Sequence, residues 1–133
     1  MEKILADTSV WVASFAKSGH KPLKKAMRES ILKGELVMTG MVLLEILQGA
    51  RNEQEGLALK RRLSILPFLS VQDGIWVEVA EFSLKLRSRG VQTAVPDLFT
   101  AWVAIKNGCI LMHCDRDYER IAKHSDLKTR PFV

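Results

Sequence analysis

Lys3-Ile4-Leu5-Ala6-Asp7-Thr8-Ser9 reads as a short buried strand that ends on an acid followed by two hydroxyls. A second apolar run ending on an acid is Cys109-Ile110-Leu111-Met112-His113-Cys114-Asp115. Short apolar runs of this kind, separated by helical patterns, argue for a parallel sheet covered by helices on both faces. In such sheets ligands bind outside the carboxyl ends of the strands, near the point where strand order reverses. Asp7 and Asp115 both stand at such ends. If the first strand is central and neighbours the Cys109 strand, the two carboxylates face one crevice.

Working outward, strands are expected at Lys3 to Ala6, Glu35 to Met38, Leu66 to Val71 and Cys109 to His113, with a short last one near Leu127 to Val133. Pro67 has no amide hydrogen to give to a ladder, so the Leu66 run belongs at a sheet edge. Leu23, Met27, Ser30 and Ile31 mark one face of a helix from Pro22 to Lys33 that Gly34 stops. Thr39 caps a helix carrying Glu45 and ending near Gly49, and Asn52 caps another with Leu59, Leu63 and Leu66 on one side. Ile75, Val79, Phe82 and Leu86 stripe a helix from Asp73 to Arg89, closed by Gly90. Helices from Asp97 to Asn107, closed by Gly108, and from Asp115 to Lys123 complete the set.

At 133 residues the chain fits a single domain, 1–133, that buries roughly two thirds of its unfolded surface without needing disulfides. It contains no repeat, linker or low-complexity tract. The hydrophobic fraction of 47% and charged fraction of 26% are those of a globular protein, and no stretch is apolar enough for a membrane span. With no signal-peptide pattern, the expectation is a cytoplasmic protein. Cys109, Cys114 and His113 lack the second ligand pair a zinc site needs. The net charge of +5, gathered in Lys17 to Arg28, Lys60-Arg61-Arg62, Lys85 to Arg89 and Lys123 to Arg130, suits a polyanion or solvated helix faces equally.

Acids at the element joints tip that balance. Asp7 ends one apolar run, Glu45 interrupts Met41-Val42-Leu43-Leu44, Asp97 follows Val95-Pro96, and Asp115 follows the Cys109 run. Each also has a plain role: Asp7, Asp97 and Asp115 as helix caps, Glu45 as a partly exposed helix edge, and Asp117 as first-turn charge facing the helix dipole. Two carboxylates about 4 Å apart repel by roughly 4 kcal/mol at an effective dielectric near 20. A cluster of them must therefore take up protons or a cation. Hard oxygen donors select Mg²⁺ or Mn²⁺, which leaves positions for phosphate oxygens and a water, the equipment for phosphodiester hydrolysis. The hydroxyls of Thr8 and Ser9 suit orienting Asp7 or a metal-bound water, and equally suit bonding their own backbone.

Leu5-Ala6-Asp7-Thr8-Ser9-Val10-Trp11, Thr39 to Gly49 around Glu45, Gly90 through Asp97 to Ala101, and Gly108 to Tyr118 together resemble the PIN-domain ribonucleases, most closely the VapC-type toxins of toxin–antitoxin pairs. The resemblance covers essentially the whole chain. It implies a three-layer α/β/α domain with a mostly parallel central sheet of four to five strands, the first strand beside the Cys109 strand, and an acidic crevice binding Mg²⁺ or Mn²⁺. By position, Asp7, Glu45 and Asp97 match three acids of the family site, Asp115 the fourth, and Asp117 a further acid often found there. It also implies endoribonuclease action on structured RNA such as transfer or ribosomal RNA, a homodimer, and a small antitoxin partner. Trp11, Phe15, Trp76, Phe99 and Trp102 are the apolar candidates for those contacts or for the core. The chain departs from the family in having His113-Cys114 near the strand end, where Thr or Ser is common, and Tyr118 where Phe is frequent. His113 is a candidate for contacting RNA or a water at the metal.

Other readings fit less well. A haloacid-dehalogenase-like phosphatase wants a second Asp two residues after the first, where Ser9 stands. A receiver domain wants a paired acid near the first strand. From a different class, a binding module holding RNA or a partner without cutting it has no use for Glu45 in an apolar helix.

Overall fold

The computed structural model describes residues 2–133. Strands β1 (Ile4–Ala6), β2 (Leu36–Val37), β3 (Ile110–His113) and β4 (Lys128–Pro131) form one sheet in the order β2-β1-β3-β4, every neighbouring pair parallel. Helices α1 (Thr8–Phe15), α2 (Lys21–Leu32), α3 (Gly40–Gln48), α4 (Glu53–Leu63), α5 (Ile75–Ser88), α6 (Val95–Lys106) and α7 (Arg116–Lys123) connect the strands or cover the sheet.

Side chains alternate across the strands as a two-residue period requires. Ile4 and Ala6 of β1, Leu36 of β2 and Met112 of β3 pack with Val10, Trp11, Leu23, Val42 and Leu63 from α1 to α4. Leu5, Val37 and Leu111 point the opposite way and pack with Val79, Phe82, Leu98, Tyr118 and Ile121 from α5, α6 and α7. Helices thus cover both faces, giving the expected three layers. The central strands are apolar on both sides for that reason, as parallel strands buried between two helix layers are.

The expected Leu66 to Val71 strand shrinks to one parallel bridge, Met38 to Phe68, in which Met38 N donates to Pro67 O and Leu69 N to Met38 O, both at 2.9 Å. It lies beside β2 at the sheet edge, where the missing amide hydrogen of Pro67 costs no ladder bond. Helix α1 is signalled in the sequence only by its Asp7 cap. Its apolar residues lie all round, with Val10 and Trp11 buried but Val12 and Phe15 exposed, so no stripe marks it. Ile31, assigned to the buried face of α2, is exposed, and Ala26 takes its place in the core. Helix α6 begins two residues earlier than Asp97, with Pro96 in its first turn. Gly90 and Gly108 end their helices with φ of 80° and 65°, the left-handed conformation that side chains with a Cβ resist.

No helix among the described residues is long and apolar enough to cross a membrane.

Candidate active site

Strand β1 pairs with β2 on one side and β3 on the other, so the reversal of strand order falls between β1 and β3. Their carboxyl ends open the crevice, and Asp7 N donates to Met112 O at 2.9 Å, extending the ladder to the acid itself. Four segments bring acids here: Asp7 after β1, Glu45 from α3, Asp97 from the first turn of α6, and Asp115 with Asp117 at the start of α7.

Asp7 is buried, at 6% exposure, yet fully satisfied. Its Oδ2 accepts from the Ser9 backbone N–H at 3.2 Å and the Ser9 hydroxyl at 2.7 Å, and its Oδ1 accepts from the Tyr118 hydroxyl at 2.8 Å. Asp7 therefore caps α1 and faces the crevice at once; the plain role and the chemical one are not alternatives. The same holds for Asp115, whose Oδ1 accepts from Asp117 N at 2.9 Å as the cap of α7. Asp97 is not a cap, since Ala94 precedes the helix and Asp97 is its third residue. The Thr8 hydroxyl turns to Glu45 rather than Asp7, donating to Oε1 at 2.8 Å, while Ser9 alone orients Asp7.

Asp97, Asp115 and Asp117 each offer an oxygen within 4.8 Å of the others, the one set of three or more acid, His or Cys ligands so disposed among the described residues. Asp7 and Glu45 flank this trio and act on it electrically. Burial, then the charges of Asp7, Asp115 and Glu45, push the Asp97 carboxyl up to about 6 against the bond from Tyr118. All five donors are hard oxygens, and the crowding that raises Asp97 is what a divalent cation relieves. The acids fit such an ion. Asp117 also meets Arg120 Nη1 at 3.2 Å, an exposed i,i+3 pair worth little.

His113 does not face the crevice for RNA or water. It is fully buried, its Nδ1 accepts from Asp115 N at 3.1 Å, and its Nε2 lies 2.7 Å from Glu119 Oε2. With Nδ1 as acceptor from Asp115 N, Nε2 is the donor to Glu119, so the imidazole is a strut that sets the Asp115 backbone. At the end of β3 the Ser9 Oγ accepts from Cys114 N at 3.2 Å. Cys109 is buried and Cys114 half-buried, and neither belongs to the donor set. Tyr118 is the participant that residue typing missed. Its fully buried ring carries a hydroxyl 2.8 Å from Asp7 and 3.1 Å from Asp97. Burial, then both carboxylates, drive the phenol well above its usual range, so it stays neutral and able to donate.

A pH dependence follows. The folded chain holds the Asp97 carboxyl near 6, above the roughly 4 of an unfolded Asp. Protonation of Asp97 then favours the fold: its contribution is fully present below about pH 4 and is lost as pH rises through about 6. Without divalent cation, the urea midpoint of unfolding is expected to fall over that window, and Asp97→Asn to flatten the fall. A cation must displace the same proton, so Mn²⁺ affinity is expected to climb by up to about tenfold per pH unit below that value and level off above it. A flat profile in both titrations would mean that Asp97 is ionised throughout.

A parallel sheet closed on both faces by helices, with acids converging at its topological switch point, is the layout of a nuclease domain of the PIN type. A sequence model described as the PIN domain matches residues 4–124, and the chain belongs to that family. Ribonuclease VapC11 of Mycobacterium tuberculosis is 31% identical over 97% of this chain and 98% of its own. The DNA-bound VapBC complex of Salmonella typhimurium contains a chain that superposes with a TM-score of 0.80, covering 100% of both at 17% identity. VapC20 of M. tuberculosis, described as a sarcin-ricin loop cleaving toxin, superposes at 0.67 with 20% identity, covering 95% of this chain and 99% of its own.

Proposed function

We propose that this chain is the toxin of a toxin–antitoxin pair, a cytoplasmic endoribonuclease dependent on Mg²⁺ or Mn²⁺ that hydrolyses phosphodiester bonds in structured RNA, transfer or ribosomal. The observation that carries this reading is the meeting of Asp7, Glu45, Asp97, Asp115 and Asp117 at one switch point, in a chain whose full-length relatives are ribonucleases.

Asp97, Asp115 and Asp117 would hold the ion, with Asp7 beside them. When bound, such an ion neutralises charge on the scissile phosphate and activates water. Ser9 fixes the Asp7 carboxylate through two donors, so its rotamer is set before any ligand arrives. Thr8 ties Oε1 of Glu45 and leaves Oε2 to accept a proton from the attacking water. The exposed Lys and Arg of α4 and α7 draw RNA electrostatically.

The partners are a small antitoxin covering the crevice and a second copy of the chain. Of the five aromatic candidates, Trp11 and Phe99 are buried and Trp102 half-buried, so Phe15 and Trp76 are the two whose rings are open to a partner.

Total RNA incubated with antitoxin-free protein and Mn²⁺ tests the reading, with EDTA and Asp97→Asn as controls. Discrete cleavage that both controls abolish is the expected outcome, and mapping the ends begins to name the target. RNA that shifts in a gel yet stays whole would replace the enzyme with a binding module.

A further inference from the structure

Tyr118 stands where three of the four acid-bearing segments meet. Its hydroxyl lies 2.8 Å from Asp7 Oδ1, from the β1 side, and 3.1 Å from Asp97 Oδ1, from α6, while the residue itself belongs to α7 with Asp117. The ring is enclosed on all sides. It is fully buried in the core layer of α5 to α7 and packs at 5.1 Å against His113, which is itself pinned between Asp115 N and Glu119.

One phenol hydrogen is shared between two carboxylate oxygens, at 2.8 and 3.1 Å, as a three-centre bond. Each carboxylate oxygen has two lone pairs, so an oxygen held by Tyr118 can still ligate. We propose that the Tyr118 hydroxyl is a positioning group for the divalent cation: by tying Oδ1 of Asp7 and Oδ1 of Asp97 to one fixed oxygen, it sets the spacing of the two carboxylates and so the affinity of the crevice for the ion. A Phe at this position would fill the same space without the tie. The inference rests on reading the crevice as a metal site.

The test is Mn²⁺ binding to the full chain without RNA, followed by electron paramagnetic resonance and calorimetry, in wild type and Tyr118→Phe. Loss of a partner that orients a ligand typically weakens metal binding about 10- to 100-fold. Tyr118→Phe is expected near the lower end, because Ser9 still holds Asp7, and saturating Mn²⁺ should return cleavage to within a few-fold of wild type. A purely structural hydroxyl would lower the melting temperature in EDTA and leave Mn²⁺ affinity alone; unchanged or tighter affinity overturns the proposal. Wild-type protein that binds no Mn²⁺ would instead overturn the metal-site reading, and this inference with it.

Tyr118 is the one tyrosine of the chain, which allows a second measurement on the wild-type fold. With 3-fluorotyrosine incorporated, the single fluorine resonance is expected to move as Mg²⁺ is added, with the midpoint found by calorimetry. A line that stays still while calorimetry records binding would equally overturn the proposal.

Discussion

Asp97→Asn is expected to lower RNA cleavage by about 10²- to 10³-fold or more while leaving the metal-free protein as stable as the wild type or more so. Losing a single group that stabilises transition-state charge costs about 10²- to 10³-fold in rate, and a side chain whose loss also weakens the ion costs at least that. The stability half of the expectation has a separate cause. Asp97 is half-buried among Asp7, Asp115 and Glu45, and near neutral pH its charge is held against burial and repulsion. Asparagine keeps the shape, accepts from the Tyr118 hydroxyl as before, and removes the charge. Thermal melts in EDTA and a cleavage assay on the same preparation check both halves. A variant that melts well below wild type would show that Asp97 serves the fold first, and one that cuts normally would remove it from the chemistry.

The layout of the sheet was legible because its strands are short apolar runs ended by acids, and because caps and stops mark the helices chemically. Thr39, Asn52, Gly90 and Gly108 all stand where those signals place them. Strand order is different in kind. That β1 neighbours β3 depends on contacts a hundred residues apart, and no local period encodes it; the family resemblance supplied it, and the pairing of Leu5 with Leu111 bears it out. The acids were legible as exceptions, charges where the pattern favours burial. Their partners were not, because a hydroxyl looks alike whether it bonds its own backbone or a distant carboxylate. Thr8 reaches Glu45, 37 positions away, and Tyr118 reaches Asp7, 111 positions away. His113 misled for the opposite reason. A histidine beside a crevice suggests chemistry, whereas here both ring nitrogens are engaged within the fold.

Asp7 separates charge from hydrogen bonding more sharply than any other residue of the site, through two substitutions of which only one is expected to cost stability. Its oxygens meet three donors: the Ser9 N–H, the Ser9 hydroxyl and the Tyr118 hydroxyl. In Asp7→Asn the amide oxygen can keep both Ser9 bonds. The new NH₂ then faces Tyr118, whose phenol oxygen can accept from it if its own hydrogen turns to Asp97 Oδ1, 3.1 Å away. Every bond is conserved, so Asp7→Asn is expected to melt close to wild type while cleavage falls by about 10²-fold or more with the lost charge. Asp7→Ala removes both acceptor oxygens, and with them all three bonds and the cap of α1. Leaving buried donors unpaired costs about 1–3 kcal/mol apiece, less where a donor finds another partner, as Tyr118 does in Asp97. Loss of an N-cap costs about 1 kcal/mol. These overlap, because the Ser9 N–H bond is the cap, so a loss of about 2–4 kcal/mol is expected by urea denaturation. Equal stability of the two variants would mean that the donors around Asp7 find other partners, and a strongly destabilised Asp7→Asn would mean that Tyr118 cannot turn its hydrogen toward Asp97.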